Sequence, residues 1–434
     1  MNAFDLAAVL MTIAAVSGYL NYRWLRLPSS SGTLAVALLS SVMIIAVDAA
    51  LPQLEIHGTI ARFVGRIDFN QTLMRGMLAF LLFAGALQVD LRGLLDNKWT
   101  ITALATVGVA ISTAIVGGLM WGFFLAIGAD VSPLVCFVFG AVVSPTDPVA
   151  VMGLLKDLHA SPNLEAQIAG ESLFNDGIGV VLFVALASLA GLPGLGESAM
   201  RPDVGGALTF VVREIGGGAA LGLGLGYLAY RTLMRIDDHP LELLITIALV
   251  MCTYAVSFGL HVSGAIAVVC AGVLIGNPGR QFAMSARTRD HVDAFWRMID
   301  EIFNAVLFLL LGLQVYAVSA GVHAIGAGLV AILVALFARL VSVSIPIALI
   351  GRRGRFARGI IPVLTWSGLR GGISVALMLS LPPFPGRDVL LACTYAVVVF
   401  SVLVQGLTVR RVLVHYGIGD DRMSSVNDAA QPAG

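Results

Sequence analysis

The sequence predicts an all-α polytopic membrane protein of about thirteen transmembrane helices, built as two inverted six-helix repeats with broken helices. Three observations carry that expectation: the composition, the spacing of the apolar runs, and the polar residues that interrupt some of them. Of the 434 residues, 58% are hydrophobic and only 12% charged, with a mean hydropathy of +0.92. A soluble domain carries about 25% charged residues, so long apolar runs at half that charge point to many membrane spans. There is no basic stripe with interleaved aromatics, which excludes nucleic acid as a partner. Cys136, Cys252, Cys270 and Cys393 all stand in apolar stretches without CxxC spacing and read as small buried hydrophobes. No cofactor is expected.

Apolar runs of span length fall at roughly 3–21, 32–51, 72–91, 99–127, 131–155, 164–190, 206–230, 240–260, 262–276, 298–319, 322–350, 359–381 and 388–414. A helix needs about 20 residues to cross, and tilt or breaks absorb the deviations. No sustained ten-residue alternation supports a β-barrel. The first run has no basic segment before it: Asp5 precedes it and Arg23 and Arg26 follow, so it reads as a first span with its N-terminus outside. In that orientation 18 Lys and Arg fall on the cytoplasmic side. The outside holds 5, namely Arg62, Arg66, Arg75, Arg201 and Arg387, and Arg213, Arg339 and Arg370 lie within spans. The positive-inside rule selects this topology in a plasma membrane. Residues 1–416 form one transmembrane domain, and 417–434 form a short polar cytoplasmic tail.

With span 7 as a linker, six spans stand on either side and the two sets are inverted, an arrangement common in secondary transporters. The fifth span of the first set contains Ser144-Pro145-Thr146-Asp147-Pro148, and the fifth of the second contains Trp366-Ser367-Gly368-Leu369-Arg370-Gly371-Gly372. Prolines break a helix ladder, and irregular backbone at membrane depth must be buried in protein or line a cavity. In span 6 the apolar run is interrupted by Gly170-Glu171-Ser172-Leu173-Phe174-Asn175-Asp176-Gly177. Asp147 lies 12 residues before His159, and Asp176 lies 13 after Asn163. At about 1.5 Å per residue both reach the middle of a hydrocarbon core about 30 Å thick. Ionisable groups there are costly and seldom idle, so the three interrupted stretches read as one buried ion site. Glu171 and Arg370 fall at similar depth and are expected to pair. Ser172 stands one turn from Asp176 on the same face, and the Asn175 amide can donate to the unwound segment.

Other features read more plainly. His159, His239, His291 and His415 lie near loops as solvated polar residues, with a pH-sensing role as the sharper alternative. Asp48, Glu55, Asp90, Glu214 and Asp300-Glu301 lie at span ends. The glycines at 216–218, 222, 224 and 226 suggest close helix packing, and Arg280 to Arg297 reads as an amphipathic connector.

Ser144-Pro145-Thr146-Asp147-Pro148-Val149-Ala150-Val151, Gly170 to Gly177 and Gly368-Leu369-Arg370-Gly371-Gly372 resemble the hallmark motifs of the NhaP/NHE branch of monovalent cation–proton antiporters. Phe303-Asn304-Ala305-Val306-Leu307-Phe308 and Val404-Gln405-Gly406-Leu407-Thr408 resemble it too, and the similarity runs from about 75 to 412. The resemblance implies an NhaA-like fold with a core part (about 72–190 and 298–414) and a dimerisation part (about 1–51 and 206–276). It further implies a homodimer in membrane lipid, elevator-like alternating access, and exchange of Na+, with Li+ as a further substrate, for H+. Carried over by position, Asp147, Asp176, Ser172 and Thr146 contact the Na+, Asn175 stabilises the site, and Glu171 pairs with Arg370. Asn175 stands where an electrogenic relative would offer a second acid, so one-for-one electroneutral exchange is expected. Where relatives carry an acid in span 3 this chain has Ala84, which removes a ligand. A K+/H+ antiporter of the same fold is the alternative, and a channel is a further one. An intramembrane aspartyl protease also needs two membrane aspartates, but its Gly-x-Gly-Asp signature is missing.

Overall fold

The computed structural model describes residues 3–50, 77–192, 204–313, 322–350 and 359–418, and every regular element among them is helical. The segments holding Glu55, Arg62, Arg66 and Arg75, Arg201, and Arg352 to Arg358, and the tail from 419, lie outside the described residues. The chain opens with α1 (Ala3–Leu20) and α2 (Ser29–Ala50). Next come α3 (Leu78–Gln88), the short α4 (Leu91–Asp96) and the long α5 (Lys98–Ala126). Asp90 starts α4 by accepting from the Arg92 and Gly93 amides, as an N-cap acid does.

The expected span at 131–155 is two helices, α6 (Pro133–Val143) and α7 (Val149–Asp157). Pro145 and Pro148 cannot donate to the carbonyls of Ala141 and Ser144, four residues earlier, so the ladder ends between them. Then follow α8 (Pro162–Leu189), α9 (Val204–Leu233), α10 (His239–Leu260) and α11 (Gly264–Ala283). The next helix, α12 (Ala286–Leu313), starts 12 residues before the expected span and takes in most of the connector. After α13 (Val322–Ile350) the chain breaks again between α14 (Ile360–Ser367) and α15 (Gly372–Ser380), before α16 (Arg387–His415) ends the described fold.

Among the described residues six helices are long and apolar enough to cross a membrane, and the pair α14–α15, bent by 51°, makes a seventh. Two further expected spans miss that measure for local reasons. The α6–α7 pair is divided into 11 and 9 residues, and the first half of α12 is charged.

Two large apolar clusters hold the bundle together. One gathers Phe83, Val268, Val292 and Trp296 from α3, α11 and α12, and the other gathers Phe139, Phe183, Ala331, Leu377 and Leu390 from α6, α8, α13, α15 and α16. Ile373, just after the second break, packs against both. The site therefore lies where the two clusters meet. Helix α13 turns the small Ala327, Ala331, Ala335 and Ala338 inward and leaves Leu329, Leu333 and Phe337 exposed. That polarity suits a helix with protein on one side and lipid on the other.

The glycine-rich stretch is an interface, as expected. Side chains at Gly218, Gly222 and Gly226 of α9 would meet Ser263, Ala267 and Ala271, the last at 3.1 Å from its Cα, so two stripes of small residues at four-residue spacing press together. Gly224 faces open space. Gly222→Val should therefore cost about 1–3 kcal/mol of overpacking, read as a lower melting temperature of the purified protein. Gly224→Val should melt like the wild type; equal losses in both would mean that the stripe is not the contact.

Candidate ion site

The two helix breaks touch. The Asp147 amide donates to the Leu369 carbonyl at 2.7 Å, joining one unwound segment to the other. Position 371 must be glycine for this approach, since a side-chain carbon there would fall 2.5 Å from Asp147 Oδ2. Asp147 Oδ1 accepts from the Val149 amide at 2.9 Å, so its carboxylate sits at the N-terminal end of α7. The N-terminus of α15 begins one residue beyond Gly371. Both half-helices turn their positive ends toward this carboxylate.

The carbonyls released by the break are taken up by Arg370. Ser144 lacks its usual partner because residue 148 is proline, and Pro145 lacks its own because the Val149 amide goes to Asp147. Arg370 Nη1 donates to both carbonyls, at 3.0 Å for Pro145. Its backbone amide donates to Ser401 Oγ at 2.7 Å, and Ser401 in turn donates to Gln405. Arg370 thus staples the second break onto the first.

Helix α8 passes alongside and supplies Glu171, Ser172, Asn175 and Asp176. Pro145 lies against Gly179, where any side chain would displace it. Asn175 grips Thr146 from both sides: its Nδ2 donates to Thr146 Oγ1 at 2.8 Å, and its Oδ1 accepts from the Thr146 amide at 3.2 Å. Thr146 Oγ1 also shares a hydrogen bond with Ser172 Oγ at 3.0 Å. These three side chains are buried, whereas Asp147 and Asp176 keep partial exposure. A closed neutral network of Asn175, Thr146 and Ser172 thus stands behind two partly buried acids.

The expected Glu171–Arg370 pair does not form. Glu171 is held by Arg339 of α13, which meets Oε1 with Nη1 and Oε2 with Nη2, the latter at 3.1 Å. Both residues are buried, and Arg339 also donates to the Leu364 carbonyl on α14 at 2.9 Å. The planar fork of Arg339 matches the carboxylate in two places, while Arg370 is committed to peptide carbonyls. Arg339 stands 11 residues from Ile350 and Arg370 11 from Gly359, so depth does not separate them, and the packing of α13 brings Arg339 to Glu171. An arginine inside a 27-residue apolar helix was itself a signal for a buried partner.

One more acid belongs to the surroundings. Asp300 of α12, expected at a span end, is half-buried, accepts from Asn304 Nδ2 at 3.1 Å, and lies within the electrostatic reach of Asp147. Ala84 of α3 is fully buried and adds no side-chain oxygen.

Residues 10–415 match the family model described as sodium/hydrogen exchanger, transmembrane. The chain is 43% identical over 411 residues to the Na+/H+ antiporter NhaP of Pseudomonas aeruginosa, covering 93% of this chain and 95% of the relative. It is 33% identical over 391 residues to the Na+/H+ antiporter NhaH of Halobacillus dabanensis, covering 87% and 91%. In fold it resembles the sodium proton antiporter MjNhaP1 of Methanocaldococcus jannaschii with a TM-score of 0.73 at 17% identity, over 96% of this chain and 99% of that one.

The exchanged partner is open to test. Glu171→Gln leaves Arg339 charged and unpaired, and breaking a buried pair costs about 3–5 kcal/mol. Glu171→Gln with Arg339→Gln should melt higher than Glu171→Gln alone, whereas Glu171→Gln with Arg370→Gln should melt lower still. A rescue by the Arg370 change instead would reinstate the pairing expected from depth.

Proposed function

We propose a cation–proton exchange on this premise: the chain belongs to the sodium/hydrogen exchanger family. Na+ and H+ are the exchanged ions, and they compete for Asp147 and Asp176. The observation that carries this reading is the pair of half-buried aspartates at the meeting of two unwound segments, backed by a closed neutral network. Hard oxygen groups suit an alkali cation, and Thr146 and Ser172 stand next to the carboxylates as further oxygen donors. Asn175 keeps the unwound backbone in place, and the Glu171–Arg339 and Arg370 contacts hold the helices around it.

In this reading a bound cation or a bound proton lowers the negative charge of the site by one, and only the loaded site moves. The core part carries it past a dimerisation part in an elevator-like step, within a homodimer, with the N-terminus outside and the C-terminus in the cytoplasm. Because Glu171 is matched by Arg339 and residue 175 is an amide, the two aspartates are the carriers. One Na+ replacing one H+ leaves the moving charge unchanged, so exchange is electroneutral.

The protein reconstituted in sealed vesicles with a pH dye tests this directly. Na+ addition should drive proton efflux; Li+ and K+ added in turn rank the cations. Asp147→Asn and Asp176→Asn should each abolish the signal while the protein still inserts, and wild-type flux in either variant would remove that residue from the mechanism. A membrane potential exerts about 2.3 kcal/mol per elementary charge per 100 mV, so an electroneutral cycle should hold the same Na+/H+ balance when valinomycin and K+ gradients set the voltage. A balance point that moves with voltage would establish two protons per Na+.

A further inference from the structure

Outside the ion site, where α9 hands over to α10, Asp237, His239 and Glu242 converge. One candidate ligand atom from each lies within 4.8 Å of the others. Glu242 is fully buried, and its Oε2 has no hydrogen-bond partner. Leaving a buried carboxylate oxygen unsatisfied is costly, and a cation is the simplest complement to it. The other oxygen, Oε1, accepts from Thr288 Oγ1 at 3.5 Å.

The surroundings are those of a prepared site. His239 is half-buried, and its Nδ1 is hydrogen-bonded to Thr288 Oγ1. Ser285 Oγ donates to the same hydroxyl at 3.1 Å. The exposed His291 of α12 brings its ring centre to 5.3 Å from that of His239. Asp237 is exposed, so the cluster opens to solution on one side and is closed by Glu242 on the other.

We propose that Asp237, His239 and Glu242 bind a divalent transition-metal ion, with Zn2+ the best match. One imidazole nitrogen and two carboxylates form the mixed N/O set that suits Zn2+, whereas Mg2+ and Ca2+ favour all-oxygen shells. No cysteine is at hand, which disfavours the soft Cu+. The exposed Asp237 can swing to the bond length of about 2.0–2.2 Å that a zinc carboxylate requires. Thr288 and Ser285 act as the outer partners that orient the imidazole. Since Thr288 sits in the first turn of α12, the ion fastens the start of α10 to the start of α12. None of these residues takes part in the proposed transport site.

The full-length protein, purified without a polyhistidine tag, is titrated with Zn2+ by equilibrium dialysis and metal analysis. The wild type should bind about one Zn2+ per chain saturably, gain in melting temperature on binding, and keep the ion against millimolar Mg2+. The Asp237→Asn/His239→Ala double variant should bind more weakly than the about 10–100-fold loss typical of outer-partner changes, and should lose the melting shift. Both substituted side chains are at least partly exposed, and unchanged melting without metal shows that the double variant is folded. His415→Ala, on α16, should bind as the wild type does. Absence of saturable binding to the wild type, displacement by Mg2+, or equal binding by the folded double variant would overturn the site.

Discussion

Backbone carbonyls cannot be left bare at membrane depth, and the centre of this protein is built on that constraint. Pro145 and Pro148 open the helix between Val143 and Val149, and the carbonyls of Ser144 and Pro145 lose their helical donors. Arg370 replaces both donors with one guanidinium. Because Arg370 stands in the second break, satisfying the first break also fixes where the second must lie. The Asp147–Leu369 backbone bond and the bare Gly371 beside the aspartate follow from that closeness.

The division of labour among charges follows too. An arginine held by carbonyls consumes no carboxylate, so Glu171 is available to Arg339 and Asp147 remains free of an ion pair with either arginine. The two structural cations and the single structural anion knit α8, α13 and α14 to the broken helices. Asp147 and Asp176 stay partly accessible, with hydroxyls and an amide behind them rather than counter-ions. Such a pair is suited to accepting a small cation or a proton, because neither forms an ion pair with a lysine or arginine among the described residues.

Around this centre the helices approach through small residues. Glycine on α9 faces serine and alanine on α11, and alanine on α13 lines the inner side of a helix whose outer side is leucine and phenylalanine. In lipid there is no hydrophobic gain from bringing apolar helices together, so close contact between smooth faces supplies the attraction. The π-helical turn at Leu104–Gly108 in α5 and the one that closes α11 around Pro278 show where the regular ladder yields locally.

The sequence by itself determined the helical class, the two interruptions, and the residues gathered at them. Apolar runs must become helices in lipid, and the closely spaced Pro145 and Pro148 withdraw two ladder donors within one turn and so open theirs. Asp147, Thr146, Ser172, Asn175 and Asp176 were legible because polar groups in apolar runs are few and their depth follows from counting residues. Counting fixes height along a helix but not rotation about its axis or the identity of the facing helix. That is why Arg339 rather than Arg370 meets Glu171, why Asp300 reaches toward Asp147 from a helix that began earlier than its apolar run, and why His239 is held beside Thr288 instead of standing free in a loop. These pairings join residues from 49 to 168 positions apart in the chain, and only the packed helices decide them.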